Sequence, residues 1–109
     1  MAALAGCGTA MRVHAGETLQ IAVSEYRITP QSVHAGTGVL TIVVHNYGRL
    51  SHNLVISHAG VAEASTKPIA SGGWAQLDAV LGPGRYLMAS SLVSDEALGT
   101  YGTLSVAGR

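Results

Sequence analysis

The chain has 109 residues, enough for one domain with a buried core and too few for two. Six Lys and Arg balance six Asp and Glu, and charged residues make up only 11% of the chain, so there is no basic patch for nucleic acid or an anionic membrane surface. Hydrophobic residues reach 48%, but Gly, Ser, Thr or a charge breaks every run short of the ~20 apolar residues of a spanning helix, and the single Cys excludes an intramolecular disulfide or thiolate cluster.

Residues 1–18 read as an N-terminal tail. Within it, Leu4-Ala5-Gly6-Cys7 has the form of a bacterial lipobox, in which small residues precede a Cys that receives a lipid. As the remnant of a truncated signal, it places the domain outside the cytoplasm, periplasmic or at the cell surface, with a lipid on Cys7 as its one membrane connection. The other reading is a tail that merely contains small residues.

The domain itself is expected over 19–107. Leu19 to Ile28 alternates apolar and polar residues like a half-buried strand and is closed by Pro30. Val33 to Asn46 does the same, with Leu40, Ile42 and Val44 on one face and Thr41, Val43 and His45 on the other. Asn53 to Ser57, Trp74 to Leu81, Arg85 to Ser90 and Gly102 to Val106 follow as strands, separated by turn signals such as Ser71-Gly72-Gly73 and Gly82-Pro83-Gly84. Val61 to Thr66 is the one stretch that suits a helical turn. Six or seven short strands with spaced turns predict an all-β, antiparallel sandwich.

Three pieces then carry a resemblance: "EYRITPQSVHAGTGVLTIVVHNYGRLSHNLVI", "LGPGRY" and "GTYGTLSV". Their order and spacing resemble the cupredoxins, the small blue-copper domains, over about residues 19 to 107. The resemblance implies a Greek-key β-sandwich in which His52 is the first copper ligand. It also implies a Cys four residues after Tyr86, a His a few residues later and a Met near the second glycine. Those positions hold Ser90, Asp95 or a close neighbour, and Thr100.

A blue-copper centre needs a thiolate in a His2Cys set, and the neutral, hard hydroxyl of Ser90 cannot supply one. No cofactor is therefore expected. Copper or another metal on His52 with Asp95, for metal handling or electron transfer without a thiolate, is the alternative. On the simpler reading His52 hydrogen-bonds loop backbone. His34 and His58 fall toward the opposite end of the strands, and His45 points outward. Met88 reads as core filler beneath the vacant site. Trp74 reads as core, with an exposed partner anchor as the second option.

Ser90, His52 and Asp95 are residue types of a nucleophilic triad. No nucleophile elbow accompanies them, so no enzyme activity is expected. The resemblance instead points to Tyr47, Arg49, Leu50 and His52 as a contact face for an unknown protein partner. The overall expectation is an extracytoplasmic binding or structural module.

Overall fold

The computed structural model describes residues 11–14, 16–91 and 101–107, which form ten strands and no helix among them. One sheet has six strands, in the order β1 (Met11–Val13), β4 (Ser32–Gly36), β10 (Tyr101–Ala107), β9 (Gly84–Ala89), β6 (Val55–His58) and β7 (Val61–Ser65). The other has four, in the order β3 (Arg27–Thr29), β2 (Thr18–Ser24), β5 (Gly38–Asn46) and β8 (Trp74–Leu81).

Period-two patterning packs the two sheets together. Leu19, Ile21 and Val23 on β2 and Leu40, Ile42 and Val44 on β5 face Val33 on β4, Ile56 on β6, Met88 on β9 and Leu104 on β10, all of them buried. Met88 is fully enclosed, as a core filler should be.

The all-β sandwich is as expected, but its sheets are mixed rather than antiparallel. β1 with β4, β4 with β10, and β2 with β5 run parallel. The chain crosses between sheets after β3 and after β4, and strands that are not joined by a hairpin are free to align.

Four local expectations also change. Leu19 to Ile28 is two strands, because a Glu25–Tyr26 turn with Tyr26 at φ 67° folds β3 back onto β2. Val33 to Asn46 divides at Thr37, since β4 and β5 belong to different sheets. Val61 to Thr66 is not a helical turn: it contributes edge strand β7, joined to β6 through Ala59 and Gly60, both at positive φ. Pairing with β6 overrides the weak local pattern. Ordered structure also starts upstream of Leu19, within the stretch read as a tail, since β1 pairs with β4 and buries Val13.

Trp74 is a further correction. Ala79 and Leu81 fill the inner face of β8, so the opposite parity leaves Trp74 on the outer face, 64% exposed, across from His45.

Gly102, the second residue of β10, pairs with Met88, and an added Cβ there would lie 2.6 Å from the backbone oxygen of Gln31. That oxygen also accepts the Thr103 N–H, so it has little room to retreat. Gly102→Ala is therefore expected to destabilise the fold by about 1–3 kcal/mol. Urea denaturation at neutral pH checks it, and an unchanged midpoint would remove the close approach.

Candidate functional site

The β2–β5 register sets Val23 opposite Asn46, so the residue just past β2, Glu25, overhangs the loop that follows β5. Its carboxylate accepts the N–H of Arg49 at 2.9 Å and of Leu50 at 2.8 Å, and the Nε2–H of His52 at 3.0 Å. These donors, the Arg49 and Leu50 amides foremost and then His52, hold the Glu25 carboxyl down from 4.5 to about 2. An ionised carboxylate only accepts, so the shared proton belongs to Nε2 of His52.

Asn46 and the 69–73 segment grip the same loop from its other side. The Asn46 amide donates to the carbonyls of Leu50 at 2.9 Å and Ile69 at 2.8 Å, and its oxygen accepts the Gly48 N–H at 2.8 Å. His52 exchanges backbone bonds with Ile69, and Ser71 Oγ donates to the Gly48 carbonyl at 2.6 Å. His52 is fully buried as a result. It presents no surface, contrary to its expected place in the contact face. Tyr47 and Leu50 do, at 72% and 52% exposure, and Arg49 is exposed between them.

Ser90 follows β9 and is fully buried as well. The Asn53 N–H donates to Ser90 Oγ at 3.2 Å, and the Ser90 hydroxyl donates to Asn53 Oδ1 at 3.2 Å. Ser91 reinforces the joint: its N–H donates to Asn53 Oδ1 at 2.8 Å, and its Oγ accepts from Asn53 Nδ2 at 3.0 Å. The His52-Asn53 loop and the end of β9 are thus stitched together by side chains.

Searches of family models and of curated proteins found no match. Solved structures do match. Reduced auracyanin from Roseiflexus castenholzii superposes with a TM-score of 0.75 at 21% identity, covering 83% of this chain and 96% of its own. An azurin from Methylomonas sp. strain J gives 0.72 at 13% identity, with 84% and 98% covered. A purple cupredoxin from Nitrosopumilus maritimus gives 0.64 at 17%, with 82% and 99% covered.

The fold is the cupredoxin fold. The donor set on this cupredoxin frame does not fit a type 1 copper ion. Where a thiolate is required, Ser90 offers a neutral hydroxyl whose proton is engaged with Asn53. Among the described residues no group of three or more His, Cys, Asp or Glu side chains is placed to hold a metal. Asp95, Thr100 and Cys7 lie outside the described residues. His45 stacks on Tyr47 and bonds Gln20, and His58 bonds the Arg85 carbonyl at the opposite end of β9, so each ring is engaged with partners other than His52.

Glu25 and Asn53 were not singled out by sequence reasoning. The available signal for Glu25 is the break in alternation at "SEYR", where a lone carboxylate interrupts an otherwise regular strand. For Asn53 it is only adjacency to His52.

Glu25 ties stability to acid. Its folded pKa lies below the ordinary 4.5, so its contribution is complete above that value and disappears as the pH falls through about 2. Thermal melting at pH 7, 4.5 and 2.5 is expected to show Glu25→Gln less stable at pH 7 and less acid-sensitive than the parent; parallel acid profiles would refute the link. Ser90→Ala strands the buried Asn53 N–H and is expected to cost about 1–3 kcal/mol by chemical denaturation.

Proposed function

We propose that this domain is a non-catalytic protein-binding module that acts outside the cytoplasm, built on a cupredoxin fold that has given up type 1 copper chemistry. Ser90 carries the reading. A buried serine stitched to Asn53 does structural work at the position where the cupredoxin resemblance calls for a thiolate.

The contact surface is the loop of Tyr47, Arg49 and Leu50, extended by Trp74 on the adjoining strand. Tyr and Trp bring large contact area at low entropic cost, and Arg is favoured at interfaces for its planar donors. Tyr47 is steadied by stacking on His45, with ring centroids 5.8 Å apart and planes 14° apart. Behind it, the Glu25 carboxylate holds the Arg49 and Leu50 backbone, so little ordering remains for a partner to impose. The lipobox form of Leu4 to Cys7 supports the location, and mass spectrometry of the protein from its native host tests for a lipid on Cys7.

One observation favours a second reading, metal handling through His52. A carboxylate on the far nitrogen is how metal-bound imidazoles are commonly oriented, and Glu25 stands against Nε2.

Two measurements decide between them. Protein purified without chelators is titrated with Cu(II), Cu(I) and Zn(II) by calorimetry, beside a His52→Ala variant whose folding is checked by melting. Stoichiometric binding that vanishes only in a folded His52→Ala chain establishes the metal reading; weak, His52-independent binding supports the module. A photo-crosslinker is then placed at Tyr47 or, as a control, at Val80. In native-host extract, a discrete partner is expected only from position 47, and its loss in Leu50→Asp; equal labelling from both positions would overturn the contact face.

A further inference from the structure

The balanced overall charge conceals an asymmetry on the six-stranded sheet. Five of its strands, β1, β4, β10, β9 and β6, contain no Asp or Glu, yet they carry Arg12 and Arg85 with His34 and His58; the edge strand β7 brings the sheet's one carboxylate, Glu63, between the partners of Ser57 and Ile56. Among the described residues the one ion pair is Glu25 with His52, at the opposite end of β9 from Arg85. The Arg85 guanidinium therefore has no carboxylate partner among them.

A cleft of about 310 Å³ opens beside Arg85 on the outer face of this sheet, bordered by Ser57, Ala59, Gly60, Leu87 and Thr103. The register explains its layout. Ser57 on β6, Leu87 on β9 and Thr103 on β10 form one row across three strands, so two hydroxyls flank an apolar floor. Arg85 lies two residues along β9 on the same face. The β6–β7 turn walls one end; Ala59 at φ 50° and Gly60 at φ 83° are the two positive-φ residues that its two-residue hairpin requires.

We infer that this cleft binds a small organic carboxylate, its apolar body on Leu87 and Ala59 and its carboxylate on the Arg85 fork with the Ser57 or Thr103 hydroxyl. The volume lies at the lower end of the range for small-molecule sites, and the mixture of apolar floor with a few polar groups is their usual lining. A planar guanidinium matches a carboxylate in two parallel hydrogen bonds. One permanent cation balances one negative charge, whereas a phosphate dianion would leave its second charge uncompensated. Arg12, on a strand further along the same sheet, adds a positive field at the face without entering the cleft.

The test is an NMR amide-shift titration of the whole chain with benzoate, benzyl alcohol and inorganic phosphate, repeated on Arg85→Gln. Arg85 is exposed, and the variant's own spectrum shows whether it is folded. Benzoate is expected to shift the Ser57, Leu87 and Thr103 amides saturably with a Kd of roughly millimolar order, as its size permits. Benzyl alcohol and phosphate are expected to bind at least about tenfold more weakly, and Arg85→Gln to weaken benzoate by about tenfold or more. Absence of saturable benzoate shifts, equal binding of benzyl alcohol, phosphate binding as tight as benzoate, or an unchanged Kd in Arg85→Gln would each overturn the inference.

Discussion

The parallel pairing of β2 with β5 is the constraint on which both the core and the site depend. Leu19, Ile21 and Val23 meet Ile42, Val44 and Asn46 along it, which fills the four-stranded side of the sandwich. The same register leaves Glu25, one residue past the end of β2, over the 47–52 loop. A one-residue slip would turn the β2 apolar set to solvent and carry the carboxylate off its three donors. Hydrophobic burial thus sets where the charge stands, and the charge then sets the shape of the loop.

The serine stitch joins the end of β9 to the His52 loop through a hydroxyl that both donates and accepts a hydrogen bond. A coordinating thiolate accepts hydrogen bonds and donates none, whereas the Ser90 hydroxyl does both within reach of Asn53. It closes two buried polar groups on each other and leaves no uncompensated charge, so the end of β9 stays joined to the His52 loop by neutral contacts. A neutral hydroxyl here avoids the desolvation cost that a buried anion would carry.

Much of the sandwich was legible because alternation is a local signal. "GVLTIVVHN" declares its inner face residue by residue, and both faces of β5 appear as read although the strand starts at Gly38 rather than Val33. Strand direction was not legible, because it depends on which sheet each segment joins, and nothing within "SVHAG" states that β4 lies parallel to β10. Val61 to Ser65 misled for the same reason: five small or exposed residues become a strand only through β6. At the site, His52 and Ser90 stood out through the cupredoxin spacing. Glu25 reaches His52 across a sequence gap that only the fold closes. Trp74 was misjudged because a single aromatic at a strand end carries little evidence of parity, and its exposure is decided by Ala79 and Leu81 further along.

Gly48 adds a consequence of the Glu25 clamp. A Cβ at position 48 would lie 2.6 Å from a Glu25 carboxylate oxygen, the movable end of that side chain, so a side chain there would push the carboxylate outward and lengthen its bonds to the Arg49 and Leu50 amides. The smaller residue 48 is, the closer the carboxylate can sit to the two amides it orders, so the tightness of the 47–52 loop is tuned from a position that makes no side-chain contact of its own.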